Sequence, residues 1–133
     1  MKEIYRFTAN TIEYFTENDV LTIALADDPV EPDNFIIITR LDEEDNISAD
    51  DGIGLSTPDS DYEIIGAIIA IALTENDLQL QIKPEFIEHY GSEFFQVNFD
   101  PSMRASNKLK ILEDSLVSLC DGSQVVLHLF EYD

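Results

Sequence analysis

The sequence predicts an α+β fold: a mostly antiparallel sheet of about six to eight strands, with one long C-terminal helix and one short helix packed on it. Three observations carry that expectation. Short runs rich in Ile, Val, Thr, Tyr and Phe recur along the chain, each closed by a cluster of Asn, Asp, Gly or Pro. One segment near the C-terminus instead spaces its leucines as a helix does. The chain has 133 residues, 44% of them hydrophobic, which is enough for one domain with a buried core, 1–133.

Taken in order, Ile4, Arg6 and Thr8 alternate with Tyr5, Phe7 and Ala9, and Thr11 to Phe15 continues in the same vocabulary, so the opening reads as strand. Phe15 to Asp19 reads as a turn. Val20 to Ala26 follows as an apolar strand and closes a hairpin. Asp27 to Asp33, with Pro29 and Pro32, is a loop, and Phe35 to Leu41 is a further apolar strand. Gly52 to Ser56 reads as a weak edge strand, with Thr57 to Asp61 as the turn after it. Ile64 to Leu73 reads as one buried strand, and Leu78 to Ile82 alternates strictly. Between them Thr74-Glu75-Asn76-Asp77 repeats the turn word of Thr16 to Asp19, because Asn and Asp bond their own backbone in tight turns.

Pro84, Glu85 and Phe86, closed by Gly91, predict a helix of one or two turns. Phe95, Val97 and Phe99 define one face of the next strand. The clearest helix runs from Pro101 to Cys120: Asp100 is a cap, Pro101 suits the first position, and Leu109, Leu112, Leu116 and Leu119 form one stripe. Asp121-Gly122 stops it. Gln124 to Phe130 is a last strand, apolar enough to lie inside the sheet.

The charge narrows the function classes. With 28 Asp and Glu against 7 Lys and Arg, the net charge is −21, which makes nucleic acid an unfavourable ligand. The acids are densest from Asp42 to Glu63: Asp42, Glu43, Glu44, Asp45, Asp50, Asp51, Asp59, Asp61 and Glu63, with no basic residue among them. An anionic surface of this kind speeds association with a basic protein and suppresses wrong partners. Tight binding also needs apolar or aromatic anchors, for which Ile53, Leu55 and Tyr62 are candidates that serve equally well as core. The candidate partner-binding residues are thus Asp42, Glu43, Glu44, Asp45, Asp50, Asp51, Asp59, Asp61 and Tyr62.

No catalytic constellation stands out. His89 and His128 have no neighbouring nucleophile in an elbow, and Cys120 reads as a small core residue. Counted from Asp42 as a calcium loop, Glu44 and Asn46 suit, but the required glycine is Ile47 and the flanks are not helices. Gly52-Ile53-Gly54 lacks the rest of a phosphate loop. No metal or cofactor is expected. Arg104, Lys108 and Lys110 gather on the long helix, where Lys110 pairs with Asp114 at i+4. The same helix, 101–120, is also the less repulsive surface for a homodimer. A lone cysteine, no apolar stretch after the basic residue at the N-terminus, and a longest apolar run of ten residues against the ~20 of a spanning helix point to a cytoplasmic protein without membrane contact.

The words Thr22-Ile23-Ala24-Leu25-Ala26-Asp27-Asp28 and Phe35-Ile36-Ile37-Ile38-Thr39-Arg40, then Asp51-Gly52, Gly66-Ala67-Ile68 and Leu73 to Ile82, closed by Phe95–Phe99 and the leucine-spaced helix, resemble the immunity protein 10 family. The resemblance spans Leu21 to Leu116. It implies a non-enzymatic bacterial immunity protein that neutralises a cognate toxin domain encoded beside it, and it carries over no individual contact residue. Two other classes remain open: a small acidic enzyme using paired carboxylates or a metal, and a nucleic-acid mimic that inhibits a DNA-binding protein.

Overall fold

A computed structural model describes residues 4–17, 20–28, 30–41, 53–58, 60, 63–104, 108–121 and 125–129, apart from the side chains of Leu41 and Arg104. The architecture is α+β, but the strands form two five-stranded sheets where a single sheet was expected. The first is a meander of β2 (Thr11–Glu17), β3 (Val20–Ala26), β4 (Phe35–Leu41), β5 (Ile53–Ser56) and β6 (Ile64–Ile65), each antiparallel to the next. The second contains β1 (Ile4–Ala9), β7 (Ile68–Leu73), β8 (Asp77–Ile82), β9 (Phe94–Phe99) and β10 (Val126–Leu129), in the order β1-β9-β8-β7-β10. This second sheet is mixed, because both of its edge pairings, β1 with β9 and β10 with β7, are parallel.

The chain changes sheet at two places that sequence periodicity reads as continuous strand. The opening run divides at Asn10, whose N–H bonds the Ala26 carbonyl while the Ala9 carbonyl accepts from Asp100. The run Ile64 to Leu73 divides at Gly66, where φ is 84°, a left-handed conformation that costs glycine least. Its N–H is held by the Ile53 carbonyl at 2.8 Å. Two further expectations are corrected. Of the expected edge strand Gly52–Ser56, the described part Ile53–Ser56 is not an edge: β5 lies between β4 and the two-residue β6. The last strand is an edge and not an interior strand, and it leaves Val126 and Leu129 exposed.

Other local expectations hold. The Thr74 hydroxyl accepts the Asn76 and Asp77 N–H groups at 3.1 and 3.0 Å and donates to the Asp77 carboxylate at 2.7 Å, closing the β7–β8 hairpin. A 3₁₀ turn, Pro84–Phe86, leads into α1 (Ile87–Tyr90), which ends at left-handed Gly91. Asp100 caps α2 (Pro101–Arg104) by accepting the Ser102 N–H at 2.9 Å. Of the expected helix 101–120, α2 and α3 (Lys108–Cys120) are described, and 105–107 lie outside the described residues. Leu109, Leu112, Leu116 and Leu119 all face one core that joins both sheets and the helices. Helix α3 touches β10 of the mixed sheet and β2 and β3 of the meander. Its C-terminus is clamped by Arg40, whose guanidinium donates to the carbonyls of Leu119 and Asp121, each at 2.6 Å.

Candidate functional site

Directly opposed residues of neighbouring strands share a face, so the register sorts each sheet into an inner and an outer side. In the meander the inner side carries Ile23, Leu25, Ile36, Ile38, Ile53 and Leu55, all buried. The outer side therefore carries Thr11, Glu13, Phe15 and Glu17 of β2, Val20, Thr22, Ala24 and Ala26 of β3, and Phe35, Ile37 and Thr39 of β4. Gly54 and Ile65 continue it. Outer faces of antiparallel sheets are ordinarily polar, but the centre of this one is apolar. Because Ala24 and Ala26 are small, they leave a cleft of about 220 Å³ lined by Thr11, Glu13, Ala24, Ala26, Asp28, Pro32, Phe35 and Ile37.

Two carboxylates, Glu13 and Asp28, line this hollow. Both are exposed, as are Glu17 on β2 and Glu63 beside Thr39. Asp28 is held in place by the N–H groups of Val30 and Glu31 at 2.8 and 3.1 Å, which keep its pKa below the ordinary 3.8. Asp27 beside it is lowered chiefly by the Asn34 side chain, which donates at 3.0 Å, with help from the N–H groups of Asn34 and Asp33. Both are therefore charged at neutral pH. Glu63 accepts the Thr39 hydroxyl and lies across Gly54, where a Cβ would collide with the carboxylate. A glycine at 54 is thus what lets a charged group lie flat on this face.

The outer side of the mixed sheet differs in kind. Arg6 Nε donates to Gln96 Oε1 at 2.9 Å, while Gln96 Nε2 donates to Asp77 at 2.8 Å and to Asn98 at 3.2 Å. Gln79 also donates to Asp77, at 3.3 Å. These amides satisfy one another and the single carboxylate among them. The molecule thus has one outer face of self-paired amides and one apolar face rimmed by acids.

The residues singled out from sequence fall as follows. Asp42, Glu43, Glu44, Asp45, Asp50, Asp51, Asp59, Asp61 and Tyr62 lie outside the described residues. Ile53 and Leu55 belong to the core and not to a binding surface, since register turns both inward. His89 packs edge-on against Tyr90 with ring centroids 4.8 Å apart, and His128 is exposed on β10. Cys120 is buried, and burial pushes its thiol up to about 11 against a small opposing effect of Arg40. Lys110 pairs with Asp114 at 3.4 Å, as its spacing predicts, and with Glu113 at 3.7 Å; these pairings raise its pKa. Among the described residues no three His, Cys, Asp or Glu side chains come together as a metal site, and no helix is long and apolar enough to cross a membrane.

Sequence reasoning missed the outer face. It placed Phe15 to Glu17 in a turn, whereas these residues pair with Thr22, Leu21 and Val20 and only positions 18 and 19 separate the two strands. The available signal was alternation: Glu13, Phe15 and Glu17 lie two apart, as residues on one side of a strand do. No family model matches the chain, and no curated protein matches it.

Proposed function

We propose that the protein is a non-enzymatic immunity protein, acting in the cytoplasm, that binds and neutralises a cognate bacterial toxin domain through its acidic surface. The observation that carries this reading is the outer face of the meander, an apolar hollow lined by Glu13 and Asp28, with Glu17 and Glu63 exposed farther along the same sheet, in a chain of charge −21. Apolar surface supplies binding energy when a partner covers it, and a carboxylate rim selects a basic partner and raises its association rate. The acidic segment from Asp42 to Glu63 adds to the same field, since its flanking strands β4 and β6 belong to this sheet. The resemblance of Leu21 to Leu116 to the immunity protein 10 family supports the same reading. If the toxin is a nuclease, its basic substrate cleft is the surface these carboxylates would meet.

The test is to express the toxin domain encoded beside the gene, with and without this protein. Growth rescue together with a stable complex of the two purified chains is the expected result. Replacing Asp42, Glu43, Glu44 and Asp45 by Asn or Gln should slow association and flatten its dependence on salt. A toxin that kills equally in the presence of the protein, with no complex formed, overturns the proposal.

A further inference from the structure

Building on the toxin-binding reading, we propose that the free edge of β2 is where the partner docks, an extended basic segment adding to the meander as its sixth strand. β2 is the terminal strand of its sheet, bonded to β3 on one side, and among the described residues its other side has no backbone partner. Unpaired edges template strand addition, so folded proteins usually guard them with short length, Pro, Lys or a bulge. The other edges are modest: β6 has two residues, β10 has four, and β1 carries Arg6. β2 has seven residues, no Pro, Gly, Lys or Arg, and an unbroken register with β3.

The side chains of β2 also await a partner. Glu13 to Glu17 are exposed in succession, so although α3 touches this strand, side chains on both of its faces reach solvent. Tyr14 and Phe15 stand on opposite faces at 49% and 45% exposure, wide apolar surfaces on either side of an open backbone. Charge decides the occupant. Glu13 and Glu17 flank Phe15 on one face, so an added strand fits best with Lys or Arg opposite the two acids and an apolar residue between them. A second copy is disfavoured, because each chain carries −21 and pairing two β2 strands centred on Phe15 sets Glu13 against Glu17. Main-chain bonds then supply affinity and the alternating side chains supply specificity, as in strand addition generally.

The probe is a blocked seven-residue peptide of alternating valine and lysine, added at saturation to the whole protein in low salt. Amide hydrogen exchange is followed residue by residue. Exchange in β2 should slow on the order of tenfold. The same peptide with alternate amides methylated should give no protection, and the double variant Glu13→Lys, Glu17→Lys, changed only at exposed positions, should prefer a valine–glutamate peptide. Absence of protection in β2, protection only on another element, or indifference to methylation overturns the proposal. So does protection of β2 in the protein alone that rises with its concentration, which would make the occupant a second copy. The two proposals separate cleanly. If the protein neutralises the toxin while the complex leaves β2 exchange unchanged, the edge fails and the toxin reading stands. If the lysine peptide protects β2 but the toxin is not neutralised, the toxin reading fails alone.

Discussion

The Tyr90 hydroxyl donates a 2.7 Å hydrogen bond to the Leu55 carbonyl and accepts one from the Ile64 N–H at 3.3 Å. Tyr90 is 1% exposed, and its ring meets Phe95 of β9 edge-on, so this one side chain, standing on α1, ties β5 and β6 of the meander to the mixed sheet. Tyr90→Phe keeps the ring and strands two backbone groups in the interior. The expected loss is about 1–3 kcal/mol of folding stability, read as a lower urea midpoint at unchanged slope.

Arg40 of β4 ties the meander to the long helix. Its two bonds satisfy carbonyls at the end of α3, where the helix has no internal donors left and its dipole favours a cation. Arg40→Ala should cost about 1–3 kcal/mol and speed amide exchange in the last turn of α3, and Arg40→Lys should recover only part of the loss. An unchanged urea midpoint in Arg40→Ala would show that water replaces the clamp without cost.

Cys120 links stability to alkaline pH. The folded thiol releases its proton near 11 and the unfolded one near its ordinary 9.0, chiefly because burial penalises the thiolate. Between those values the unfolded chain binds fewer protons, so stability falls as pH rises through the window. Urea midpoints across the window should decline more steeply for the native chain than for Cys120→Ala. At pH 8 iodoacetamide should label the folded chain much more slowly than the urea-unfolded one.

Asp27 gives the acidic counterpart. The Asn34 side chain is the largest cause of its lowered pKa, and its ordinary value is 3.8. The stabilisation it lends the 27–34 loop is complete above that value and is lost as pH falls through the lower folded one. Titration of the Asp27 carboxyl by NMR should show the depressed midpoint, and Asn34→Ala should move it back towards 3.8.

What could be read from the chain, and what could not, follows from the range of each signal. The Asp100–Pro101 start, the leucine stripe of α3 and the Thr74–Asp77 turn are written in residues close together, and each appears in the fold. Alternation tells that a strand has a buried side without telling which neighbour buries it. Ile64 to Leu73 therefore looked like one strand, although Gly66 turns it from one sheet into the other. Phe35 to Ile38 is apolar at every position, so periodicity could not reveal that Phe35 and Ile37 face outward beneath a carboxylate rim while Ile36 and Ile38 enter the core. The acids at Asp42 to Asp51 were conspicuous in composition. The outer-face acids Glu13 and Glu17 were not, because only the pairing of β2 brings Glu13 to the hollow and Glu17 onto the same face.

The parallel match of β1 with β9 sets Ile4 beside Phe94. The meander joins strands that are consecutive along the chain, so its closures span short loops, whereas seating β1 against β9 closes about two-thirds of the polypeptide and carries the larger entropic cost. During synthesis the meander has all its strands before β9 exists. The earliest strand to be made is thus among the last to find its place, and the sheet proposed to meet the partner can assemble without waiting for it.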